Sequence, residues 1–368
     1  MPEPLPHSRR PAMKATRFTL LLTGVLMGAG VPGPAWEDIV DNDMVYGMRR
    51  EEVFRKHRVK EMFVENEAFS EGRITTARHL NEYQLFDRNG RIVQQERAHD
   101  RVLSVRTDWE YNAKGQAVTG TSYHAIGARQ DTGRTGLAWL PTEHTRFVAE
   151  GTEPAGRTRW NTESGLWDPI TRIHTWTSHD TTYTETRDAK GTVTELERQF
   201  AIGSGKNTQR IDNLTFSNGR PQEPRFTYYR LQKNRLMESG QVTFEKEIET
   251  YVEKHPEALR YVLGSSKYGF HALTYYVAGL RPGTLKPQVK LLYSGKGQLL
   301  VATGYGARTA YQRDAAGRLS SSSLTQEEGR GGSLTAYFYR QDGLLERETI
   351  TRTDGTNDET RYYRYRFY

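Results

Sequence analysis

The residues able to do chemistry are scattered along this chain. Cys is absent from all 368 residues, which removes disulfides, thiol nucleophiles and Cys–zinc sites. The closest histidine pair is His174 and His179, followed by Asp180. Positions five apart on a strand point to opposite faces, so the pair does not share a metal without a bend. His124, His144 and His271 have no partner at ligand spacing. The stretch from Gly203 through Gly205 and Lys206 to Thr208 has the look of a phosphate loop, but Phe200 stands where its first Gly belongs and Asn207 where Ser or Thr belongs. Asp41, Asn42 and Asp43 begin like a calcium loop, yet Val45 occupies a ligand position. Nucleophile-elbow, zincin and Ser-x-x-Lys motifs are missing. The sequence therefore predicts no catalytic, cofactor-binding or metal-ligating residues.

Two kinds of chemistry remain open. A glycosidase needs only two carboxylates at a set separation, and the fold alone decides which two. Aromatic residues form 11% of the chain and can stack on sugar rings. A secreted carbohydrate-active enzyme, or a glycan-binding protein using surface aromatics and a carboxylate pair, is thus the alternative reading. The terminal run from Arg361 to Tyr368 interleaves Arg with aromatics, as single-strand nucleic-acid sites do. It also ends in an aromatic strand, as outer-membrane barrels do, but Arg364 and Arg366 stand in the register that would face lipid. We read it as the closing strand of a soluble sheet, with no nucleic-acid partner.

Short turns repeat around these residues. An aromatic or apolar residue is followed by polar residues, a Gly, and often a basic and an apolar residue. The copies centre on Gly90, Gly115, Gly165, Gly191, Gly219, Gly297, Gly317 and Gly343. Directly consecutive copies, such as Gly90 and Gly115 or Gly297 and Gly317, lie 20–28 residues apart, the period of one supersecondary unit. Asn-Gly and Asp-Gly supply the positive φ of a hairpin turn, and the Asp at its entry can bind the backbone two residues on. The flanks alternate. Val105, Thr107, Trp109 and Tyr111 interleave with Arg106, Asp108 and Glu110, and Tyr363, Tyr365 and Phe367 with Arg364 and Arg366. Such turns and strands predict a mainly β protein, an antiparallel sheet of repeated hairpins with a short helical insert.

The boundaries follow from where that pattern changes. Residues 36–60 form an N-terminal cap, with a helix near Glu51–Val59. Residues 61–240 and 289–368 are the β-repeat regions of one sheet. Between them, 241–288 is the insert: Phe244, Ile248, Tyr251 and Val252 have helical spacing, as do Leu259, Val262 and Leu263. The insert is expected to cover a face or edge of the sheet.

The turn resembles the YD (Rhs-type) repeat, whose core is Tyr-Asp, two residues, then Gly-Arg-Leu. Phe86, Asp87, Gly90, Arg91 and Ile92 fit it, as do Asp314, Gly317, Arg318 and Leu319, although the Tyr-Asp pair itself is missing. The chain thus resembles degenerate β-repeat proteins of this type that bacteria export, over residues 59–235 and 290–368. The resemblance implies a sheet built of antiparallel hairpins and carries over no catalytic residue.

The first 35 residues read as an export signal. Lys14 and Arg17 precede the apolar stretch from Phe18 to Val31, and the small residues Gly33 and Ala35 place cleavage between Ala35 and Trp36. About fourteen apolar residues are too few for a permanent span, which wants roughly 20. Arg9 and Arg10 admit a twin-arginine route, and Met13 is an alternative start. Arg9, Arg10, Lys14 and Arg17 leave with Glu3, so the net charge of +7 falls to +4, a weak attraction for anionic surfaces. The sequence therefore leads to an exported binding or structural protein, periplasmic, at the cell surface or secreted. It has no integral membrane span after cleavage, and a polysaccharide or another envelope protein is its suggested partner.

Overall fold

The computed structural model describes residues 45–46, 48–99, 102–126, 138–147, 155–202, 207–218, 220–233, 235–260, 267–280, 282–326, 331–353 and 358–368. The signal segment, the Ala35–Trp36 cleavage site, the calcium-like Asp41–Asp43, the core of the phosphate-like loop and Gly219 lie outside them.

Local turn chemistry explains how the chain reverses. At the Gly90 turn, the Asp87 carboxylate accepts hydrogen bonds from the backbone N–H of Asn89 (2.8 Å) and Arg91 (3.0 Å), and from Arg91 Nε (2.7 Å). The Gly90 N–H closes the turn on Asp87 O at 2.9 Å, and Gly90 has φ +79°. The ladder shifts register beside it, between Leu85 and Phe86. These are the marks of a type I turn ending in a left-handed residue and a bulge. Asn112, Asp188 and Asp314 make the same turn with their own backbones. Gly115, Gly165, Gly191, Gly297, Gly317 and Gly343 also sit between consecutive strands with positive φ.

The strands between such turns run in order. They are β1 (Val59–Ser70), β2 (Arg73–Phe86), β3 (Ile92–His99), β4 (Val102–Tyr111), β5 (Ala117–Ile126), β6 (Ala138–Arg146) and β7 (Ala155–Asn161). Next come β8 (Leu166–Ser178), β9 (Thr181–Asp188), β10 (Val193–Ala201), β11 (Thr208–Ser217), the two-residue β12 (Arg220–Pro221), β13 (Arg225–Gln232) and β14 (Arg235–Thr243). The last are β15 (Thr284–Tyr293), β16 (Leu299–Gly304), β17 (Ala307–Arg313), β18 (Leu319–Gln326), β19 (Gly332–Tyr339), β20 (Leu345–Arg352) and β21 (Asp358–Phe367). Each pairs antiparallel with its neighbour in sequence, β12 being a side branch on β11.

The expected open sheet is corrected at its two ends. β1 pairs not only with β2 but with β21, from Val59 opposite Phe367 to Phe69 opposite Asp358, with one register shift between Val59 and Glu61. The result is a closed antiparallel barrel of twenty strands. The reason is energetic. An open sheet would leave the backbone groups of β1 and β21 unpaired, and joining them satisfies both edges at once. Outer side chains reinforce the seam: Arg366 pairs with Glu61 at 3.3 Å and Arg364 with Glu65, while Arg78 on β2 bonds the same Glu65 at 2.6 Å. At about 4.8 Å per strand and the 35–45° tilt typical of barrels, a round ring of this size measures on the order of 40 Å across, too wide for wall side chains alone to fill.

Three helices among the described residues dress the wall. Helix α1 (Arg50–Lys56) lies inside, where Phe54, with no exposed surface, meets Phe86, Val59, Leu344 and Tyr365. Helices α2 (Glu245–Lys254) and α3 (Lys267–Leu280) join β14 to β15 and pack on the other face of the wall, over Phe226, Tyr228 and Val242. With no free edge left in the ring, this insert covers a face.

Candidate functional site

Alternation along the strands gives the wall two chemically different faces. Facing outward on β1 and β21 are Glu61, Phe63, Glu65, Tyr362, Arg364 and Arg366. Facing inward are Met62, Val64, Arg361, Tyr363 and Tyr365. The inner assignment follows from a cavity of about 750 Å³ walled by one face of nine consecutive strands, β17 round to β4, together with Val45, Tyr46 and α1. Consecutive strands enclose space only on their concave side.

The cavity lining is polar and aromatic. Gln84 and Gln95 both donate side-chain hydrogen bonds to Glu82 Oε1. Gln84 is only 4% exposed, and its own Oε1 has no hydrogen-bond partner. Arg97 approaches Glu82 at 3.9 Å. Beyond β1 on the same wall, Arg361 lies 3.8 Å from Glu348 and donates to Glu359 at 2.8 Å. Burial opposes the Arg361 charge, but Glu348 and Glu359 outweigh it and hold its pKa above the ordinary value. Trp109, Tyr111, Tyr311 and Tyr337 supply ring surface, with Ser322, Ser333, Thr309 and Thr335 between them.

The tyrosines here keep their protons. Burial pushes Tyr46 up to about 12, against a hydrogen bond with Tyr365. Burial, then the Glu51 carboxylate, pushes Tyr111 up to about 12, and its hydroxyl donates to Ile92 O at 2.7 Å. Burial, then Glu348, raises Tyr363 well above the phenol range. The N-terminal segment is clamped at the same end, where Tyr339 Oη lies 2.6 Å from Val45 O and the Leu319 N–H donates to that oxygen at 3.0 Å.

A second cluster faces inward on the far arc. Glu195 and Glu197 lie two residues apart on β10, with Asn213 donating to Glu195. Burial, then the Glu195 charge, pushes Glu197 up to about 7. Beside them Gln199 donates to Tyr229 Oη at 2.5 Å.

The histidines singled out in the sequence fall elsewhere. His174 stacks on Trp176 on the outer face of β8, and His179 sits in the next turn with φ +54°. His144 bonds Thr121, and His271 is buried on α3. Among the described residues no three His, Asp or Glu side chains come together to hold a metal. Sequence reasoning missed Glu82, Gln84 and Gln95. The signal that could have found them is the inward register of Trp109 and Tyr111 carried across β4 to β3 and β2.

No protein-family profile matches the chain, and no curated protein matches it. Solved structures do. A protein of unknown function from Bacteroides fragilis matches at TM-score 0.25 and 10% identity, over 33% of this chain and 89% of its own. A TcdB2–TccC3 chain matches at TM-score 0.22 and 12% identity, over 83% of this chain and 14% of its own. A porin-like protein from Bacteroides uniformis matches at TM-score 0.22 and 10% identity, over 84% of this chain and 98% of its own. The barrel itself rests on the strand pairing described above.

Proposed function

We propose that the chain is an exported, non-catalytic binding barrel of the bacterial cell envelope, and that its ligand occupies the cavity beneath α1. The observation that carries this reading is how the cavity's carboxylates are used. Glu82 is taken by two glutamine amides, and Glu348 faces Arg361, so each is a fixed acceptor rather than an acid or base waiting for substrate. The lining is arranged to hold a molecule.

The outer wall supports an aqueous location. Where a lipid-spanning barrel presents an apolar band, this wall presents ion pairs such as Arg106–Asp108 at 2.6 Å, Arg187–Glu185 at 2.5 Å and Arg366–Glu61. Export is supported by the signal-like segment ahead of Trp36. Expression in a bacterial host, followed by fractionation and N-terminal sequencing, tests this part of the reading. We expect a mature chain beginning at or near Trp36, released without detergent. An intact Met1 in the cytosol, or extraction only by detergent, overturns it.

A second reading, a carbohydrate-active enzyme, is favoured by one observation: the Glu197 proton held near neutrality beside Glu195, as an acid–base pair requires. Incubation with a panel of polysaccharides decides between the two. Release of reducing ends that disappears in Glu197→Gln would establish the enzyme; binding without turnover supports the binding barrel.

A further inference from the structure

We infer that the cavity takes a neutral saccharide. The inference rests on the reading of this cavity as the ligand site and names its ligand class. Three features of the lining carry it.

Charge comes first. Glu82 faces Arg97, and Arg361 is matched by Glu348 and Glu359, so these cavity charges are met from within the protein. An ionic ligand would have to break those pairs, whereas an uncharged one leaves them intact. Unsatisfied hydrogen-bonding capacity comes second. Gln84 is nearly fully buried, and Glu82 fixes its orientation because a carboxylate only accepts. Its Nε2 must therefore point to Glu82, which leaves Oε1 without a hydrogen-bond partner and buried just beneath the cavity lining. A buried acceptor without a donor costs about 1–3 kcal/mol, and a small shift of the amide toward the cavity lets a ligand hydroxyl restore the bond. Ring surface comes third. Trp109 and Tyr111 line the cavity from β4, and Tyr311 lines it from β17 near the hydroxyls of Thr309, Ser322, Ser333 and Thr335. A pyranose, with C–H faces and a hydroxyl rim, matches a lining that offers both.

Competing occupants fit less well. An acyl chain would leave the Gln84 acceptor unpaired and bury the serine and threonine hydroxyls against hydrocarbon. An extended peptide binds by adding to a free strand edge, and the closed ring offers none. The volume of about 750 Å³ lies within the usual range of small-ligand sites and suits a short oligosaccharide.

The test is calorimetric titration of the mature full-length chain with six defined probes: cellohexaose, maltohexaose, xylohexaose, chitohexaose, a galacturonic acid hexamer and octyl-trimethylammonium. We expect at least one neutral hexasaccharide to bind. Gln84→Met should weaken it tenfold or more, and Trp109→Ala likewise, while Trp176→Ala on the outer wall leaves it unchanged. Circular dichroism and melting curves check that each variant folds. If Gln84→Met fails to fold, Ser333→Val on the opposite wall replaces it with the same expected loss. Binding only of the acidic hexamer or the alkyl cation, abolished by Trp109→Ala, overturns the neutral-saccharide inference and leaves the binding barrel standing. Saccharide binding untouched by every cavity variant but lost in Trp176→Ala overturns both. Silence from all six probes with folded protein overturns the saccharide inference.

Discussion

Two helical elements dock on the same wall from opposite sides, both through apolar clusters, and only the outer one adds a buried ion pair. Inside, the seven-residue α1 is too short to persist alone, and packing around Phe54 holds it: Tyr46, Phe86 and Tyr365 meet that ring edge-on at 4.8–6.0 Å. Outside, α3 lays Leu273, Val277 and Ala278 on the apolar cluster around Phe226 and Val242, and a buried ion pair fixes its end. Arg210 and Asp212 are both without exposed surface. The Arg210 guanidinium bonds Asp212 at 2.5 Å and donates to Ala278 O at 2.9 Å and Pro282 O at 3.3 Å. It thereby satisfies carbonyls at and just beyond the last turn of α3, where a cation is favoured. Arg198 binds the same Asp212 at 2.6 Å. The inner dock seals an interior; the ion pair of the outer dock reads the end of one helix in one orientation. Between them, the arc from β5 to β9 carries no helix on either face among the described residues.

The comparison breaks most sharply at Asp212. Asp212→Ala leaves two guanidinium groups without their carboxylate, one fully buried, and should cost about 3–5 kcal/mol. Arg210→Met should cost less, because Asp212 keeps Arg198 and the new side chain fills apolar space beside Phe226 and Phe244. Urea denaturation compares them, and hydrogen exchange should show α2 and α3 opening before the barrel. Simultaneous opening of β1 and β21 would show that the outer dock supports the whole ring.

Phe54→Ala should cost about 3–4 kcal/mol through the cavity it leaves. Here exchange should rise in β1, β2 and β21 rather than in the insert. A loss confined to the insert would mean that the two docks are not independent.

The Gly90 turn, which touches the inner dock, should respond more than an equivalent turn on bare wall. A Cβ at Gly90 would stand 2.2 Å from Glu51 O, whereas one at Gly191 meets open space. Both have positive φ, +79° and +84°. Gly191→Ala should therefore cost about 1 kcal/mol of strain, and Gly90→Ala about 2–3 kcal/mol because α1 must also shift. Equal losses in melting temperature would refute a tight seat for α1.

The smallest effect concerns Glu197, on the wall that the insert covers from outside. Its folded pKa, raised to about 7, lies above that of an unfolded glutamate, so its contribution is fully present below about pH 4 and is lost as pH rises through 7. Glu197→Gln should flatten the fall of melting temperature between pH 5 and pH 8, worth on the order of 1–2 kcal/mol at the upper end. An unchanged slope would mean that Glu197 does not titrate there.

Several of these features were legible before any fold. Asp87, Asp188 and Asp314 announce their turns because an Asx side chain bonds its own backbone within four residues. The alternation of Arg364 and Arg366 with Tyr363 and Tyr365 separates two faces because the strand period is two. The helices of the insert were legible only in part. The spacing of Phe244, Ile248 and Tyr251 marks α2, but α3 reads in sequence as an apolar aromatic stretch, and the docking of its end on Arg210 is invisible there. The cavity was not legible. Gln84, Gln95 and Glu82 look like ordinary wet-face residues, and both faces of this wall are polar, so alternation does not say which side is concave.

The sequence by itself determined the turns, the strands and their antiparallel succession, because each depends on residues a few positions apart. Tertiary structure alone decided that the succession closes. Joining β1 to β21 brings together segments some 300 residues apart, and nothing local in either strand encodes its partner. That one long-range pairing turns a sheet with two faces into a wall with an inside, and the candidate site exists only because there is an inside.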